Sequence, residues 1–211
     1  MPTALLTMRG VTKSFARGLA RATRRTRAIT DVDLEVFPGD VIVVTGDEGA
    51  GKTTLLQCAC AMLRPDAGEV AHARPGYVPA VPVYYPFLTA RDVLSLRGAS
   101  DSSVETLLSA FDIRSFADGV VAQLPNAALK RLAIAESLVR RPSVVLIDTA
   151  TFDVPACAVI SSVASLGASV VVAARNGSSL ARIATRIVCL DDGRVSRLFS
   201  CSRSLVAERI H

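Results

Sequence analysis

The chain has 211 residues, of which half are hydrophobic and a fifth are charged, and this composition excludes a disordered or low-complexity protein. The length suits a single domain, 1–211, that can bury a substantial core. Lys and Arg exceed Asp and Glu by five, which suits an anionic partner such as nucleotide phosphates or a lipid surface. Aromatic residues make up 5% and Trp is absent, so we expect no platform on which successive bases of a nucleic acid stack, and no nucleic-acid partner.

The first part of the chain carries two strand patterns separated by arginines. We predict strands over Ala4–Arg9 and Asp31–Val36, the second because polar and apolar residues alternate with period two. Between them, Arg17–Arg27 holds five arginines and no acid. This segment fits a solvated hairpin loop, and contact with phospholipid or with a nucleotide stays open as the alternative.

The rest of the chain alternates between apolar strands and helices. Short runs of β-branched and aliphatic residues are typical of strands that are covered on both faces. This alternation predicts an α/β fold with a parallel core. The predicted elements are strands Val41–Val44, Val144–Ile147 and Val170–Val172, a helix Thr53–Leu63, a mainly helical region 92–140, and a closing hairpin of Ile187–Leu190 with Arg194–Ser196.

Two features bear on the cellular compartment. The segment 154–174 carries no charge, but Pro155 and Gly167 interrupt it, which favours a buried helix followed by a buried strand over a membrane span. The five cysteines form no C-x-x-C pair and the N-terminus lacks a signal-peptide pattern. We therefore expect reduced thiols in a cytoplasmic protein.

A glycine-rich loop, Gly46–Thr53, matches the phosphate-binding pattern G-x-x-x-x-G-K-[ST] between a predicted buried strand and a predicted helix. Its glycines let the backbone curl so that successive N–H groups face phosphate oxygens. Lys52 is expected to reach the β and γ phosphates, and the Thr53 hydroxyl to ligate Mg²⁺. The candidate nucleotide-binding residues in and after the loop are Gly46, Asp47, Glu48, Gly49, Ala50, Gly51, Lys52, Thr53 and Thr54.

Acidic side chains bear on this site in two ways. Asp47 and Glu48 are unusual beside phosphates, and we expect them to face solvent while the loop backbone binds. Asp148 follows the predicted strand Val144–Ile147, and a carboxylate at the tip of a neighbouring buried strand can hold Mg²⁺ through water. Thr53 and Asp148 are therefore the metal-site candidates, with a helix N-cap as the alternative role of Asp148.

Together these features resemble the nucleotide-binding subunit of an ABC transporter. Gly10–Phe15 is similar to the family's first strand and to the loop whose aromatic residue stacks on adenine, which implies that Phe15 contacts the base. Segments similar to the exit of the P-loop helix, the Q-loop and the late hairpin follow in the family's order at Leu63–Val70, Gly76–Asp92 and Leu190–Val195. The resemblance implies an ABC-type ATPase domain with a RecA-like parallel-sheet core, a small N-terminal antiparallel β subdomain and a short helical subdomain at about 84–135.

The departures from the family pattern concern the catalytic positions. Ala80 occupies the position of the Q-loop Gln, and Arg175 that of the switch His. Thr149 occupies the position of the general-base Glu, and it cannot accept a proton from an attacking water near neutral pH. The signature L-S-G-G-Q falls on Leu124–Ala128, where Pro125 removes an N–H that would face a phosphate.

These losses lead to a hypothesis about the role of the chain. The resemblance implies ATP and Mg²⁺ as cofactors, a second ABC ATPase subunit, and a transmembrane permease subunit at the inner face of the cell membrane. In the family, ATP lies between the Walker motifs of one subunit and the signature of the other. This chain carries losses on both sides, so both composite sites suffer even beside a normal partner. We therefore expect an ATP-binding subunit with very weak or no hydrolysis, in a heterodimer rather than a homodimer.

Two alternatives remain at this stage. The chain is compatible with an active but divergent transport ATPase whose site is completed by residues of a partner. It is also compatible with a soluble ABC-like regulator without a membrane partner. The segment Tyr84–Leu88 corresponds to the region that grips a membrane subunit's coupling helix in the family, although packing of these side chains inside the domain is equally compatible with the sequence.

Overall fold

The computed structural model describes residues 3–17, 24–72, 74–148 and 156–201. Strands and helices alternate through most of this part of the chain. The strands are β1 (Leu6–Arg17), β2 (Arg24–Val36), β3 (Val41–Thr45), β4 (Ala67–His72), β5 (Gly76–Val78), β6 (Val144–Asp148), β7 (Ser169–Ala174), β8 (Arg186–Asp191) and β9 (Arg194–Ser200). The helices are α1 (Lys52–Ala59), α2 (Ala90–Leu96), α3 (Asp101–Ala110), α4 (Asn126–Leu138) and α5 (Ala156–Ser165).

The strands form two sheets. A three-stranded antiparallel sheet has the order β2-β1-β4, and a six-stranded sheet has the order β5-β6-β7-β3-β8-β9. The pairs from β5 to β8 in the larger sheet are parallel, and β9 adds an antiparallel edge to β8. The predicted α/β class with a parallel core and an N-terminal antiparallel part is confirmed.

Two hydrophobic cores cover the two faces of the larger sheet. Alternate residues of one strand enter different cores, because successive side chains of a strand point to opposite faces. Val43 of β3 packs with the helices α2 to α4, whereas its neighbour Val44 packs with α1 and the antiparallel sheet. The central strands are therefore buried on both faces, which explains why their sequences are continuously apolar.

Several predicted boundaries differ from the structure. The first helix ends at Ala59 rather than Leu63, because Ala61 adopts a left-handed φ of 59° that a helix cannot accommodate. β4 was not predicted, since its exposed, Gly-containing sequence pairs with β1 only through tertiary contact. The first two strands are longer than predicted and pair from Leu6–Val36 to Arg17–Arg24, so Arg17 and residues 24–27 of the arginine-rich segment belong to paired strands. Residues 18–23 of that segment lie outside the described part.

The uncharged stretch 154–174 contains the buried helix and strand that its interruptions predict. Val159, Ile160 and Val163 of α5 are buried, and all six residues of β7 are buried in the sheet. Within the described ranges, no helix is both long and apolar enough to cross a bilayer.

Candidate nucleotide-binding cleft

Three neighbouring parallel strands bring the candidate residues to one edge of the larger sheet. The strand order β6-β7-β3 places β7 between the other two. The glycine-rich loop follows β3, Asp148 ends β6, and Arg175 and Asn176 follow β7. Since the carboxyl ends of parallel strands lie at the same edge, this order gathers residues from three distant segments around one cleft.

The loop backbone closes tightly against its surroundings at two glycines. A Cβ atom on Gly46 would lie 2.4 Å from the carbonyl oxygen of Leu190, and one on Gly51 would lie 2.2 Å from that of Ala28. Gly51 also has a φ of 99°, which L side chains rarely adopt. Both positions therefore require glycine. We call the backbone of the loop Gly46–Thr53 the glycine cradle.

Backbone hydrogen bonds connect this cradle to the rest of the fold. Gly193, in the turn between β8 and β9, donates its N–H to the carbonyl of Ala50 at 3.2 Å and accepts from Thr30 of β2 at 2.8 Å. The loop is thus supported by the antiparallel hairpin and by the late hairpin together. This support fixes the loop without using its phosphate-facing N–H groups.

Lys52 lies at the mouth of the cradle. Its Nζ donates to the carbonyl oxygens of Gly46 at 2.7 Å and of Asp47 at 2.6 Å. No carboxylate pairs with Lys52 among the described residues, so the ammonium keeps its charge available to an anion. α1 starts at Lys52 with no side-chain cap, and its first N–H groups are free to meet a phosphate.

The cleft around the cradle has a volume of about 750 Å³. Phe15 of β1 lies on its wall with 42% of its surface exposed, as expected for an aromatic side chain that contacts a base. Thr53 and Asp148, the predicted metal-site pair, line the same cleft. The lining residues are Phe15, Ala28, Gly46, Asp47, Glu48, Gly49, Gly51, Lys52, Thr53, Thr54, Asp148, Ala174, Arg175 and Asn176.

Asp148 is 5% exposed at the end of β6, and the hydroxyl of Tyr77 donates to its Oδ2 at 3.5 Å. Burial, followed by the negative charge of Asp148, raises the pKa of Tyr77 to about 12, so Tyr77 stays a neutral donor.

The described residues contain no cluster of three or more His, Cys, Asp or Glu that could hold a metal ion. This donor set fits Mg²⁺, which takes one or two protein ligands and completes its shell with phosphate and water.

Sequence analysis missed three lining residues, which are Ala28, Ala174 and Asn176. Ala28 reaches the cleft because β2 packs against the loop, and nothing local marks it. Asn176 donates from Nδ2 to Oδ1 of Asp47 at 2.9 Å, across 129 residues of sequence. Its position directly after Arg175, at the end of a buried strand, is the one signal that could have indicated it. Asp47 is exposed as expected, but its carboxylate contacts the segment after β7 rather than solvent alone.

The altered family positions are placed as follows. Ala80 is half-buried and does not line the cleft. Pro125 is the N-cap of α4 without a side-chain cap, and Asn126 and Ala127 are exposed at the helix start. Arg175 is exposed on the cleft wall. Thr149 lies outside the described residues.

A second cavity of about 800 Å³ lies between β5, α2 and α4. On its floor the hydroxyl of Tyr84 donates to Glu136 at 2.8 Å, and Arg97 also bonds to Glu136. Burial and the Glu136 charge raise the pKa of Tyr84 above its usual value.

In the segment Tyr84–Leu88, Tyr84 and Leu88 pack on the core. Tyr85 and Phe87 are 70% and 72% exposed, and their rings stack with centroids 5.7 Å apart. The structure therefore confirms packing inside the domain for Tyr84 and Leu88, whereas the contact of Tyr85 and Phe87 with a membrane subunit stays a prediction.

The parallel core, the glycine cradle and the acid at the end of β6 define a P-loop nucleotide-binding domain. A family model described as ABC transporter matches residues 29–152. The chain belongs to the ABC transporter family, as a nucleotide-binding domain.

The curated relatives named here are about 30% identical to this chain over the residues that align. The zinc import ATP-binding protein ZnuC of Roseobacter denitrificans is 30% identical over 129 residues, covering 58% of this chain and 51% of the relative. The molybdenum import ATP-binding protein ModC of Mycobacterium tuberculosis is 29% identical over 216 residues, covering 85% and 58%. The chain thus spans about half to three-fifths of the length of these relatives.

Solved structures show the same fold. The dimeric post-hydrolysis state of the ATP-binding cassette MJ0796 bound to ADP and Pi has a TM-score of 0.79 at 23% identity, covering 92% of this chain and 98% of that chain. The structure of cbiO1 from Clostridium perfringens, part of the ABC transporter complex cbiONQ, has a TM-score of 0.75 at 19% identity, covering 93% and 88%.

Proposed function

We propose that this chain is the ATP-binding subunit of an ABC-type membrane transport complex and that it binds ATP-Mg²⁺ with very weak or no hydrolysis. The observation that carries the proposal is the cleft itself, in which the glycine cradle, Lys52, Thr53 and Asp148 converge while Phe15 offers an aromatic face. These groups serve binding, and the residue in the position of the family's general base is Thr149, whose hydroxyl cannot act as one near neutral pH.

The residues present fit ATP and Mg²⁺. The cradle and the start of α1 direct N–H groups at phosphates, and Lys52 neutralises their charge. The Thr53 hydroxyl would ligate Mg²⁺ and Asp148 would hold it through water. When bound, Mg²⁺ would supply positive charge that offsets the charge of the phosphates. Phe15 would orient the base.

Hydrolysis requires groups that this chain lacks. A general base contributes about 10²- to 10⁴-fold, and Thr149 cannot supply one. Ala80 has no polar atom to orient a water molecule. At the start of α4, Pro125 offers neither the hydroxyl nor the N–H that the family signature presents to a partner's nucleotide.

The partners of the proposed complex are a second ABC ATPase subunit and a transmembrane permease subunit. A heterodimer is favoured because two copies of this chain would combine two sets of losses in each composite site. The exposed rings of Tyr85 and Phe87 beside the 800 Å³ cavity suit an amphipathic helix of a permease. The relatives' names as import ATP-binding proteins support a place at the cytoplasmic face of the cell membrane.

The binding step is tested by thermal unfolding with and without ATP-Mg²⁺. Ligand at 100 times its Kd adds about 2.7 kcal/mol to the free energy of unfolding, so the native Tm should rise by several degrees. Lys52→Ala should abolish the rise, whereas Lys130→Ala, a lysine that does not line the cleft, should retain it. An unchanged native Tm at millimolar ATP would contradict the proposal.

A further inference from the structure

The glycine-rich loop brings two acidic side chains, Asp47 and Glu48, into the lining of the cleft. Lys52, which reaches the β and γ phosphates in a P-loop, has its Nζ 2.6 Å from the carbonyl oxygen of Asp47. The Asp47 side chain accepts a hydrogen bond from Asn176 at 2.9 Å, so its carboxylate lies between the glycine-rich loop and the segment after β7. Glu48, the next residue, also lines the cleft.

The charges around the cleft do not cancel. Among the described residues that line it, the acids are Asp47, Glu48 and Asp148, and the bases are Lys52 and Arg175. Asp148 is the candidate ligand of Mg²⁺, so the metal would offset the negative charge of this one acid. The carboxylates of Asp47 and Glu48 have no metal or cation partner among the described residues and add two negative charges beside the loop that would receive phosphates.

We propose that Asp47 and Glu48 make this cleft selective for nucleoside diphosphates over triphosphates, an inference that rests on the proposed nucleotide-binding function. A triphosphate carries one more negative charge than a diphosphate, and with its γ phosphate at Lys52 that charge would lie beside the loop residues Asp47 and Glu48. Repulsion between these like charges weakens triphosphate binding and leaves the diphosphate, which ends earlier, less affected.

The hydrogen bond to Asn176 strengthens this selectivity. It holds the Asp47 carboxylate against the segment after β7, on the side of the cleft where Arg175 also lies. A terminal phosphate on this side would therefore compete with the Asp47 carboxylate for the hydrogen bond that Asn176 donates. ATP still binds through the cradle and Lys52, but with lower affinity than ADP.

The test compares equilibrium affinities by calorimetry for Mg²⁺-ADP and for Mg²⁺-AMP-PNP, a triphosphate analogue that cannot turn over. The native chain should bind ADP more tightly. Asp47→Asn combined with Glu48→Gln should tighten AMP-PNP by about tenfold or more and change ADP by less than about threefold. Glu69→Gln, which neutralises an exposed acid on β4 that does not line the cleft, is the control for loss of a carboxylate elsewhere on the surface and should leave the AMP-PNP to ADP affinity ratio unchanged.

A second measurement needs no variant. Because both carboxylates are exposed, the preference of the native chain for ADP should shrink when ionic strength rises from about 50 mM to about 500 mM. An AMP-PNP to ADP ratio that neither the double substitution nor salt changes would overturn the inference while leaving nucleotide binding intact. Failure of both nucleotides to bind any variant would overturn the proposed function and the inference with it.

Discussion

At the scale of single residues, Phe15 is held by a small network of its own. Lys13 Nζ lies 5.9 Å from the centroid of the Phe15 ring, and it is anchored by Asp66 at 3.0 Å and by the carbonyl oxygen of Arg64 at 2.7 Å. The ring is therefore fixed on one side by a cation, while 42% of the side chain remains exposed. A fixed, half-exposed ring on a cleft wall is suited to stacking on a base.

We expect Phe15→Ala to weaken ATP binding more than pyrophosphate binding, by about 1 kcal/mol, because only ATP has a base to stack. The measurement is competition binding with both ligands. Phe15→Tyr keeps an aromatic face and should retain most of the affinity for ATP. Equal losses for ATP and pyrophosphate would place Phe15 in a purely structural role.

At the scale of elements, the cleft depends on how β2 packs against the loop before α1. The carbonyl oxygen of Ala28 comes so close to Gly51 that a Cβ there would lie 2.2 Å away. Gly49, two residues earlier, has a similar positive φ of 83° but no atom within 4 Å of such a Cβ. An alanine at Gly49 would therefore suffer backbone strain alone, whereas an alanine at Gly51 would suffer backbone strain and a clash with β2.

Gly49→Ala should lower the free energy of unfolding by about 1 kcal/mol, the usual cost of an L side chain at positive φ. Gly51→Ala should lower it by clearly more, because β2 must also move. Urea unfolding without nucleotide measures both. Equal losses would show that the hairpin yields to the added methyl group without cost.

The segment before α2 makes a second prediction at this scale. Tyr85 and Phe87 are exposed, whereas Leu88 packs against the core. Replacing Tyr85 and Phe87 with Ser should reduce the fraction of the chain that sediments with host membranes and leave the Tm within error. Leu88→Ser is the matched control and should lower the Tm. Unchanged sedimentation of a folded double variant would count against a permease contact at this cavity.

At the scale of the whole molecule, the positions at which the sequence departs from the family pattern lie on two separate surfaces. The cleft lies at the ends of β3, β6 and β7, whereas the start of α4 is exposed elsewhere and does not line it. Both surfaces depart from the family pattern, with Arg175 in the position of the switch His at the cleft and Pro125 within the signature positions at the start of α4. Repairing one position therefore leaves the other surface unrepaired.

We expect the native chain to release phosphate from ATP no faster than its Lys52→Ala variant. Thr149→Glu alone should restore little, because residues that act as one catalytic unit have strongly non-additive effects. Steady-state phosphate release is measured for each chain alone and with any co-purifying ABC subunit. Robust turnover that requires Lys52 would refute the proposed loss of hydrolysis, and rescue by Thr149→Glu alone would show that the signature positions matter less than we infer.

The sequence by itself determined the features that are encoded locally. The loop Gly46–Thr53, the apolar strands and the position of Asp148 follow from short-range residue patterns, and their order along the chain indicated the family. Only the tertiary structure decided which segments meet. The contact of Asn176 with Asp47 arises because β7 lies between β6 and β3, and Ala28 reaches the cleft because the antiparallel hairpin packs on the loop. Strand order and packing between distant elements are set by the total burial of apolar surface, which no local window of sequence contains.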